Sequence, residues 1–462
     1  MKSFRFEVRI YLATALFVTL VALWNDKAVG AVTAAPPTDG GDDAMVLQWN
    51  AIAVQAVDAT LPLPTPPFQP IRTATAPFPS TRAMAIVQLA VFEAVNAITR
   101  RYGPYLGIVT APEGASADAA VIAATHDTLV WLFPDPNTVT ALSDKQAASL
   151  AVIPDGQAKD DGVKVGQAAA AAMILNRTND GSQPPMFYTP TSSAPYEWQP
   201  TPSCASAPAN NRGLFFHWQF VKPFGVESAS QFRAEPPPEI TGGKYAKDLN
   251  EVASVGSIDS TLRTAYQADV AKFYAAQPPH RGWNLVAREL ASVQADEITR
   301  TARTFAMLNM SLADAHITVF ETKYFYRGWR PETAIHRADE DSNDKTAADL
   351  GWRPYIVTPC FPGYASAHGI GAGAARTILW RAYGRKHHDI TLTEDSLPNI
   401  VLHYTDLMDI TDDVATARIY GGIHFRVDQD VGDRMGVEVA SYNDDHWLLS
   451  LTPGDGDGEE SR

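Results

Sequence analysis

Three short stretches in the second half of the chain constrain its fold most. Their cations and imidazoles can form a binding site for an anion, but only in a fold that brings the three stretches together. They are Lys323 with Arg330-Pro331, Ser366-Ala367-His368, and Arg418 with His424 and Asp428. Guanidinium groups match the oxygens of a phosphate-like anion through forked, charge-assisted hydrogen bonds, and a lysine adds a compact point charge. The set therefore predicts a site for a tetrahedral or trigonal-bipyramidal oxyanion, held on one histidine beside a second.

The order of these motifs resembles the signature shared by vanadium-dependent haloperoxidases and the type-2 phosphatidic acid phosphatase superfamily. Residues 358–368 (TPCFPGYASAH) are similar to the haloperoxidase element Pro-Pro-Phe-Pro-x-Tyr-Pro-Ser-Gly-His. Residues 422–428 (GIHFRVD) resemble Gly-Val-His-Trp-Arg-Phe-Asp of the same branch, and Ala313-Asp314-Ala315 also has a counterpart there. The specific resemblance covers about 305–430, and the ordered spacing of three motifs is a stronger signal than any one of them.

The resemblance implies vanadate as the cofactor, with phosphate able to occupy the same site. The implied ligands are Lys323, Arg330, Ser366, Ala367, Arg418 and His424. His424 would bond to vanadium or, in a phosphatase, act as the nucleophile that forms a phosphohistidine. Alone, such a histidine would be read as structural; beside the other motifs the functional interpretation is favoured. Asp428 would orient the other ring nitrogen of His424, or tether the preceding loop.

Other residues receive supporting roles from the same resemblance. His368, near a predicted helix N-terminus, would be the acid–base group, and Lys323 would polarise an oxygen of bound peroxide. Phe361 and Phe320 would form the apolar halide side of the site. Asp314 is predicted to contact one of the arginines or, as the plain alternative, to lie on a helix surface.

Four departures from the family pattern occur, all outside the charged ligands. Phe320 replaces a tryptophan, so the resemblance does not fix the halide preference, and Ala365 replaces a proline. Ala417 replaces the serine before the motif arginine, and Ala367 replaces a glycine. The Ala367 amide can still donate, although its methyl group would crowd the anion if the position required a positive φ.

The apolar patterning predicts a mainly α fold of packed helix bundles. The resemblance implies that these bundles are of the vanadium haloperoxidase and acid phosphatase type. We expect an N-terminal helical half over 44–240 and a C-terminal half over 241–450 that carries the oxyanion site. The segment from Gln183 to Pro238 is rich in proline and aromatic residues and predicts an ordered, irregular cap.

Local signals place the individual helices. Ser80 is the predicted N-cap of a buried helix over 83–98, and further helices are expected over 119–133 and 157–176. The pattern over 285–325 predicts two helices that separate near Met310-Ser311. Helices are also expected over 367–380, 399–420 and 428–442, and the run 385–388 (RKHH) is interpreted as a solvated helix end. An acidic loop over 339–350 lacks the glycine and glutamate of a calcium loop, so we do not assign one.

The two ends of the chain predict export and a polar tail. A basic start, the uncharged run 10–24 and small residues at 28–31 indicate a signal peptide over 1–30, with an uncleaved anchor as the alternative. A flexible linker is expected over 31–43 and a disordered acidic tail over 451–462. No other segment is expected to span a membrane. The predicted location is therefore periplasmic or secreted.

Composition excludes some partners. A formal net charge of −15 without a basic stripe argues against nucleic acid. The two cysteines, Cys204 and Cys360, could pair in an exported protein, but a small buried apolar role for Cys360 is the favoured interpretation. The expected partners are small molecules, namely hydrogen peroxide, halide and an organic acceptor, and a homo-oligomer is possible in principle.

These observations lead to one primary hypothesis and two rivals. The primary hypothesis is a vanadate-dependent haloperoxidase-like enzyme that turns halide and hydrogen peroxide into hypohalous acid. The second is a soluble acid phosphatase that hydrolyses phosphate monoesters with the same ligands. The third, an anion-binding protein without turnover, is disfavoured because both histidines are present.

Overall fold

Helices form where apolar residues recur every three or four positions, and they account for most of the structure. The computed structural model describes residues 42–60, 77–206, 208–294 and 296–451. The helices of these ranges are α1 (Ala44–Thr60), α2 (Pro77–Thr99), α3 (Ala117–Leu132), α4 (Pro136–Ala151), α5 (Gln157–Arg177), α6 (Gly243–Val255), α7 (Ala265–Ala276), α8 (Pro279–Gln294), α9 (Ile298–Tyr326), α10 (Pro331–His336), α11 (Ala367–Tyr383), α12 (Leu407–Tyr420) and α13 (Arg426–His446). The predicted mainly α fold class is confirmed.

The central element is α9, a helix of 29 residues whose side chains are almost all buried. It packs against α2 on one side and against α11 and α13 on the other. The predicted separation near Met310-Ser311 is wrong, because both residues lie inside the continuous helix and are fully buried. The sequence of α9 contains no glycine or proline that would interrupt it.

Glycines allow α11 and α13 to approach unusually closely. A Cβ atom on Gly373 would lie 2.3 Å from the Asp433 carbonyl oxygen, and one on Gly436 would lie 2.1 Å from the Ile370 carbonyl oxygen. Only hydrogen fits at these positions, so the backbones of the two helices are in contact. This approach brings the start of α11, which carries His368, beside the start of α13, which carries Asp428.

In the segment 183–238, the helical pieces among the described residues are the short 3₁₀ turns Pro202–Cys204 and Phe216–Phe220. A disulfide bond joins Cys204 of this cap to Cys360, with 5.4 Å between the Cα atoms. The pairing that the sequence left open is therefore present, and Cys360 is buried as expected. Spacing could not reveal the pairing, because the two cysteines are 156 residues apart in sequence.

A β-hairpin replaces two predicted helical features. Strand β1 (Lys386–Thr393) pairs antiparallel with β2 (Val401–Asp406), and α12 begins only at Leu407. The expected helix over 399–420 therefore starts too early, and the run at 385–388 leads into a strand rather than ending a helix. Alternating exposed and buried positions in β2 carry the signal that helical patterning obscured.

The N-terminal helices differ from the prediction mainly at their ends. Ser80 is a buried residue inside α2, not its N-cap. By length and composition α2 could cross a membrane over Phe78–Thr99, which the sequence analysis overlooked, although 83% of that window is buried inside the protein. Asp43, placed in the predicted linker, is buried and accepts a hydrogen bond from Thr301 at 2.8 Å.

Some predictions fall on parts of the chain that the structure does not describe. The signal peptide over 1–30, the linker over 31–41 and the acidic tail from 452 lie outside the described residues. The described residues, from 42 to 451, cluster as one unit.

Candidate active site

Lys323 lies on the last turn of α9 with its ammonium group fully buried. The Nζ atom donates to the carbonyl oxygens of Pro362 (3.0 Å), Gly363 (2.7 Å) and Ala365 (2.5 Å). Burial, followed by repulsion from Arg330, lowers the pKa of Lys323 well below its usual 10.5. The segment that precedes His368 thus forms a backbone cradle for the first predicted cation.

Arg330 stands at the N-cap of α10, where Pro331 at the first helical position fixes the chain direction. Its guanidinium donates from Nε to the Phe361 carbonyl oxygen at 2.8 Å and from Nη1 to the Ile423 carbonyl oxygen at 2.9 Å. Nη2 is buried without a hydrogen-bond partner among the described residues. Burial lowers the pKa of Arg330 to about 9, so the group stays charged at neutral pH.

Arg418 lies in the last turn of α12 and is also buried. Its Nη1 donates to the Tyr274 carbonyl oxygen at 3.1 Å, whereas Nε is a second buried donor without a partner in the described part of the chain. Burial lowers the pKa of Arg418 to about 10. Tyr274 was not identified from the sequence, because a backbone carbonyl carries no motif.

His424 lies in the turn between α12 and α13. Gly422 makes that turn possible, with φ at +79° and a position where a Cβ atom would lie 2.4 Å from the Gly256 carbonyl oxygen. The ring nitrogen Nδ1 is 2.8 Å from Asp428 Oδ2, which also accepts the Phe425 amide at 3.1 Å. Both predicted roles of Asp428, orientation of the ring and tethering of the turn, are therefore seen.

The tautomer of His424 follows from this contact. Nδ1 faces Asp428 and Nε2 faces a guanidinium group, which can only donate, so Nδ1 carries the hydrogen and Nε2 presents a lone pair. Nε2 is 2.9 Å from Arg330 Nη1, a donor that suits an unprotonated nitrogen. Burial and the nearby cations, Arg330 and Lys323 first, lower the pKa of His424 well below 6.5. The ring is therefore neutral, and Nε2, which Arg330 Nη1 contacts in this structure, is the atom that could bond to an electrophilic centre.

Burial lowers the pKa of His424 but acts in the other direction on its partner, Asp428. It raises the pKa of the carboxyl group to about 7, while the attraction of Lys323 and Arg330 opposes that rise.

The second motif lies at the start of α11, as predicted. Ser366 is the N-cap, and its Oγ accepts from the Gly369 amide at 3.2 Å, which leaves its hydroxyl hydrogen for another acceptor. Ala367 is the first helical residue and is absent from the positive-φ positions of the described chain, so its methyl group does not strain the backbone. Amides of a first helical turn point outward and favour a bound anion.

His368 follows at the second helical position, partly exposed to a small cavity lined by Tyr274, Trp283 and Val286. Burial, then repulsion from Arg418 and His316, lowers the pKa of His368 well below 6.5. His368 is thus a neutral base in the anion-free protein.

Aromatic rings form one wall of the site. Phe361 packs against Phe320 with ring centroids 5.3 Å apart. The Phe361 ring also lies 5.4 Å from Lys323 Nζ and 5.0 Å from Arg330 Cζ, within cation–π range. The two predicted phenylalanines are therefore together beside the cations.

Asp314 neither contacts a motif arginine nor lies on a helix surface, which were the two predictions for it. It is fully buried, so it is not a surface carboxylate, and its hydrogen bonds go to none of the three motif cations. It accepts the backbone amides of Phe224, Gly225 and Val226 at 2.6–3.1 Å, and the side-chain amide of Asn443 at 3.1 Å. Asp314 thus fastens the end of the cap to α9 and α13.

His316 is a residue that the sequence analysis missed. It is fully buried seven residues before Lys323, with Nδ1 3.0 Å from Thr81 Oγ1. Its position on the same face of α9 as Phe320 and Lys323 was the available signal.

The assembled residues fit an oxyanion. Lys323, Arg330 and Arg418 are buried with Asp428 as the one carboxylate in contact with the site, and Arg330 Nη2 and Arg418 Nε are buried donors that lack acceptors within the described ranges. A group with several negatively charged oxygens would satisfy these donors and offset the charge. Vanadate and phosphate both have this chemistry, and the His424 lone pair could bond to the central atom of either.

Comparisons with known proteins agree with this arrangement. Residues 303–448 match the family model described as the VCPO second helical-bundle domain. Vanadium chloroperoxidase of Curvularia inaequalis is 22% identical over 492 aligned positions, which cover 83% of this chain and 78% of that protein.

Solved structures of similar fold are also vanadium enzymes. A bacterial vanadium-dependent iodoperoxidase superposes with a TM-score of 0.72 at 23% identity, covering 90% of this chain and 99% of the other. A holo-type bacterial vanadium-dependent chloroperoxidase gives a TM-score of 0.66 at 16% identity, covering 88% and 97%. The resemblance to vanadium haloperoxidases stated from the motifs is confirmed.

The uncompensated cations predict that removal of Arg418 has opposite effects on the stability of the anion-free protein and on its stabilisation by phosphate. Arg418→Met should leave the anion-free protein as stable as the wild type, or more stable by ~1–4 kcal/mol, because a buried charge without a carboxylate is removed. Phosphate should stabilise the wild type by about 2.7 kcal/mol at a hundredfold excess over its Kd, and the variant much less. Chemical denaturation with and without phosphate measures both effects. A chloride salt keeps the ionic strength equal in the two conditions, and sulfate is left out. A variant that keeps the full phosphate response would show that Arg418 does not face the anion.

Proposed function

We propose that this chain is a vanadate-dependent haloperoxidase-like enzyme that oxidises halide with hydrogen peroxide to hypohalous acid. The observation that carries the proposal is His424 Nε2, an unprotonated ring nitrogen 2.9 Å from Arg330, in a site where Lys323 and Arg418 also lower the pKa of the ring. Two buried donors there, Arg330 Nη2 and Arg418 Nε, lack partners among the described residues. Bound there, vanadate would supply Lewis-acid activation of peroxide without changing its oxidation state.

The protein residues divide the remaining work. His424 would hold the cofactor, and Asp428 keeps the ring in the required tautomer through Nδ1. Lys323, Arg330 and Arg418 would balance the charge of the oxygens, with Ser366 and the Ala367 amide donating to them. Because these donors are already positioned by carbonyl groups, little reorganisation is needed during the reaction.

His368 is placed to handle protons. As a neutral imidazole it can accept a proton from hydrogen peroxide, and its pKa would rise once an anion is bound nearby. Its neighbourhood on the cavity side is apolar, with Trp283, Val286 and Leu392 among the lining residues. Apolar surroundings exclude competing water from the proton-transfer step.

The aromatic wall favours halide oxidation over phosphate-ester hydrolysis. Phe361 and Phe320 place apolar rings beside the cations, which suits a weakly hydrated halide better than a polar leaving group. A phosphatase remains the second candidate, because the Asp428–His424 pair would equally orient a nucleophilic imidazole.

We also propose that the protein is exported. The basic and apolar N-terminal segment predicts this, and the Cys204–Cys360 disulfide supports it, because such bonds persist in oxidising compartments. Small molecules are the proposed partners, namely hydrogen peroxide, halide and an organic acceptor.

A paired assay tests the proposed activity. Metal-free full-length protein is given peroxide, a phenol-dye reporter and chloride, bromide or iodide, with and without orthovanadate, beside a phosphate-ester assay on the same preparation. We expect halogenation only with vanadate, and at most slow ester hydrolysis without it. Efficient ester hydrolysis by the metal-free protein, with no halogenation under any condition, would replace the proposal by the phosphatase.

The roles of the two histidines generate a second prediction. His368→Ala should keep vanadate bound through His424 and the three cations, while turnover falls by ~10²–10⁴, the usual contribution of a positioned proton-transfer group. Equilibrium dialysis and initial rates separate the two effects. His403→Ala, on the exposed face of β2, is the matched control and should change neither. Loss of vanadate from His368→Ala, with unchanged activity per bound vanadium, would show that the histidine roles are exchanged.

A further inference from the structure

We propose that the Cys204–Cys360 disulfide is a positioning element of the anion site, which makes anion affinity depend on the redox state of this cysteine pair. The inference rests on the oxyanion site of the proposed function, but it concerns the part of the protein that shapes that site rather than the reaction itself. Cys360 precedes Phe361, the residue whose ring and carbonyl group both contact the cations.

On its outer side, the segment 358–361 is held by the cap. Ser203 donates from Oγ to the Thr358 carbonyl oxygen at 2.6 Å, and the Leu214 amide donates to the Cys360 carbonyl oxygen at 2.8 Å. The disulfide is the covalent member of this set. Both sulfur-bearing residues are buried, together with Trp198 and Ala209, in a small core that joins the cap to this segment.

On its inner side, the same segment forms the wall of the site. The Phe361 carbonyl oxygen accepts Arg330 Nε, and the next carbonyl oxygens, of Pro362 and Gly363, accept Lys323 Nζ. The Phe361 ring lies against both cations. Any movement of residue 360 is therefore transmitted within one to three residues to two of the three cations.

Backbone carbonyls cannot hold these cations unless the chain that carries them is itself fixed. Residues 358–366 lie outside any helix or strand, so no ladder of hydrogen bonds fixes them. A Cβ atom added at Gly363 would lie 2.9 Å from the Trp329 carbonyl oxygen and 3.6 Å from Arg330 Cδ, so this residue packs directly against Arg330. The amides of Gly363 and Ser366 donate to the carbonyl oxygens of Gly328 (2.8 Å) and Asp428 (2.9 Å) and so hold the inner part of the segment. The disulfide and its two flanking hydrogen bonds restrain its outer part, next to Phe361.

The cap is also anchored to α9 by a contact that does not involve the disulfide. Tyr324, one residue after Lys323, donates from its hydroxyl to the Leu214 carbonyl oxygen. The cap therefore rests on the helix that carries Lys323, and the disulfide sets the distance from that helix to the Phe361 wall. Such an outer restraint commonly changes affinity by about 10–100-fold at metal sites.

The test compares oxidised and reduced protein. A dithiol reductant transfers two electrons and two protons to the disulfide, giving two thiols and the oxidised reductant. We expect reduction to weaken binding of orthovanadate by about 10–100-fold, and reoxidation to restore it. A double variant, Cys204→Ser with Cys360→Ser, should show the weakened affinity under both conditions. Dialysis of phosphate gives the same comparison with an anion that reductants do not affect.

A control variant separates positioning from general destabilisation. Asp180→Asn removes a buried acceptor of Arg82 and Arg177, far along the sequence from the motifs, and should lower the melting temperature without changing anion affinity. Equal affinity of oxidised protein, reduced protein and the double serine variant would overturn the inference while leaving the proposed function intact. Failure of the oxidised wild type to bind either anion would overturn both, since no anion site would exist to be positioned.

Discussion

Burial of three cations against a single carboxylate is the constraint on which the site depends. Charged groups removed from water are costly unless they are paired. Asp428 attracts Lys323 and Arg330, whereas burial alone governs the pKa of Arg418. Backbone carbonyl groups of the 361–365 segment, of Ile423 and of Tyr274 supply partial compensation. A bound oxyanion would supply the remainder, so the same imbalance that weakens the anion-free fold becomes the source of anion affinity.

The helical architecture makes this imbalance possible. The long α9 carries Lys323 to the centre of the protein, and the glycine contact between α11 and α13 places His368 and Asp428 at adjacent helix starts. Helix N-termini favour negative charge, so Ser366 and the Ala367 amide extend the positive surroundings without adding a further ion. Stability elsewhere in the core, including the fastening of the cap by Asp314, offsets the cost of the site.

The sequence predicted the charged parts of the site well because motif spacing identifies side chains that act together. It did not predict the parts of the site that depend on backbone groups or on residues far apart in the chain. Tyr274 contributes a carbonyl oxygen, His316 looks like an ordinary helical residue, and the Cys204–Cys360 pairing joins positions far apart in the chain. Asp314 was expected either to contact an arginine or to lie on a helix surface, whereas its buried carboxylate accepts three backbone amides of the cap. The hairpin at 386–406 was missed because short alternating runs are difficult to distinguish from a helix end.

A crystal structure with orthovanadate, with vanadium located by its anomalous scattering, tests the central claim most directly. The account predicts vanadium bonded to Nε2 of His424, with its oxygens accepting hydrogen bonds from Arg330 Nη2 and Arg418 Nε, the two donors that now lack partners among the described residues. Vanadium bonded to His368, or bound away from the three cations, would contradict it.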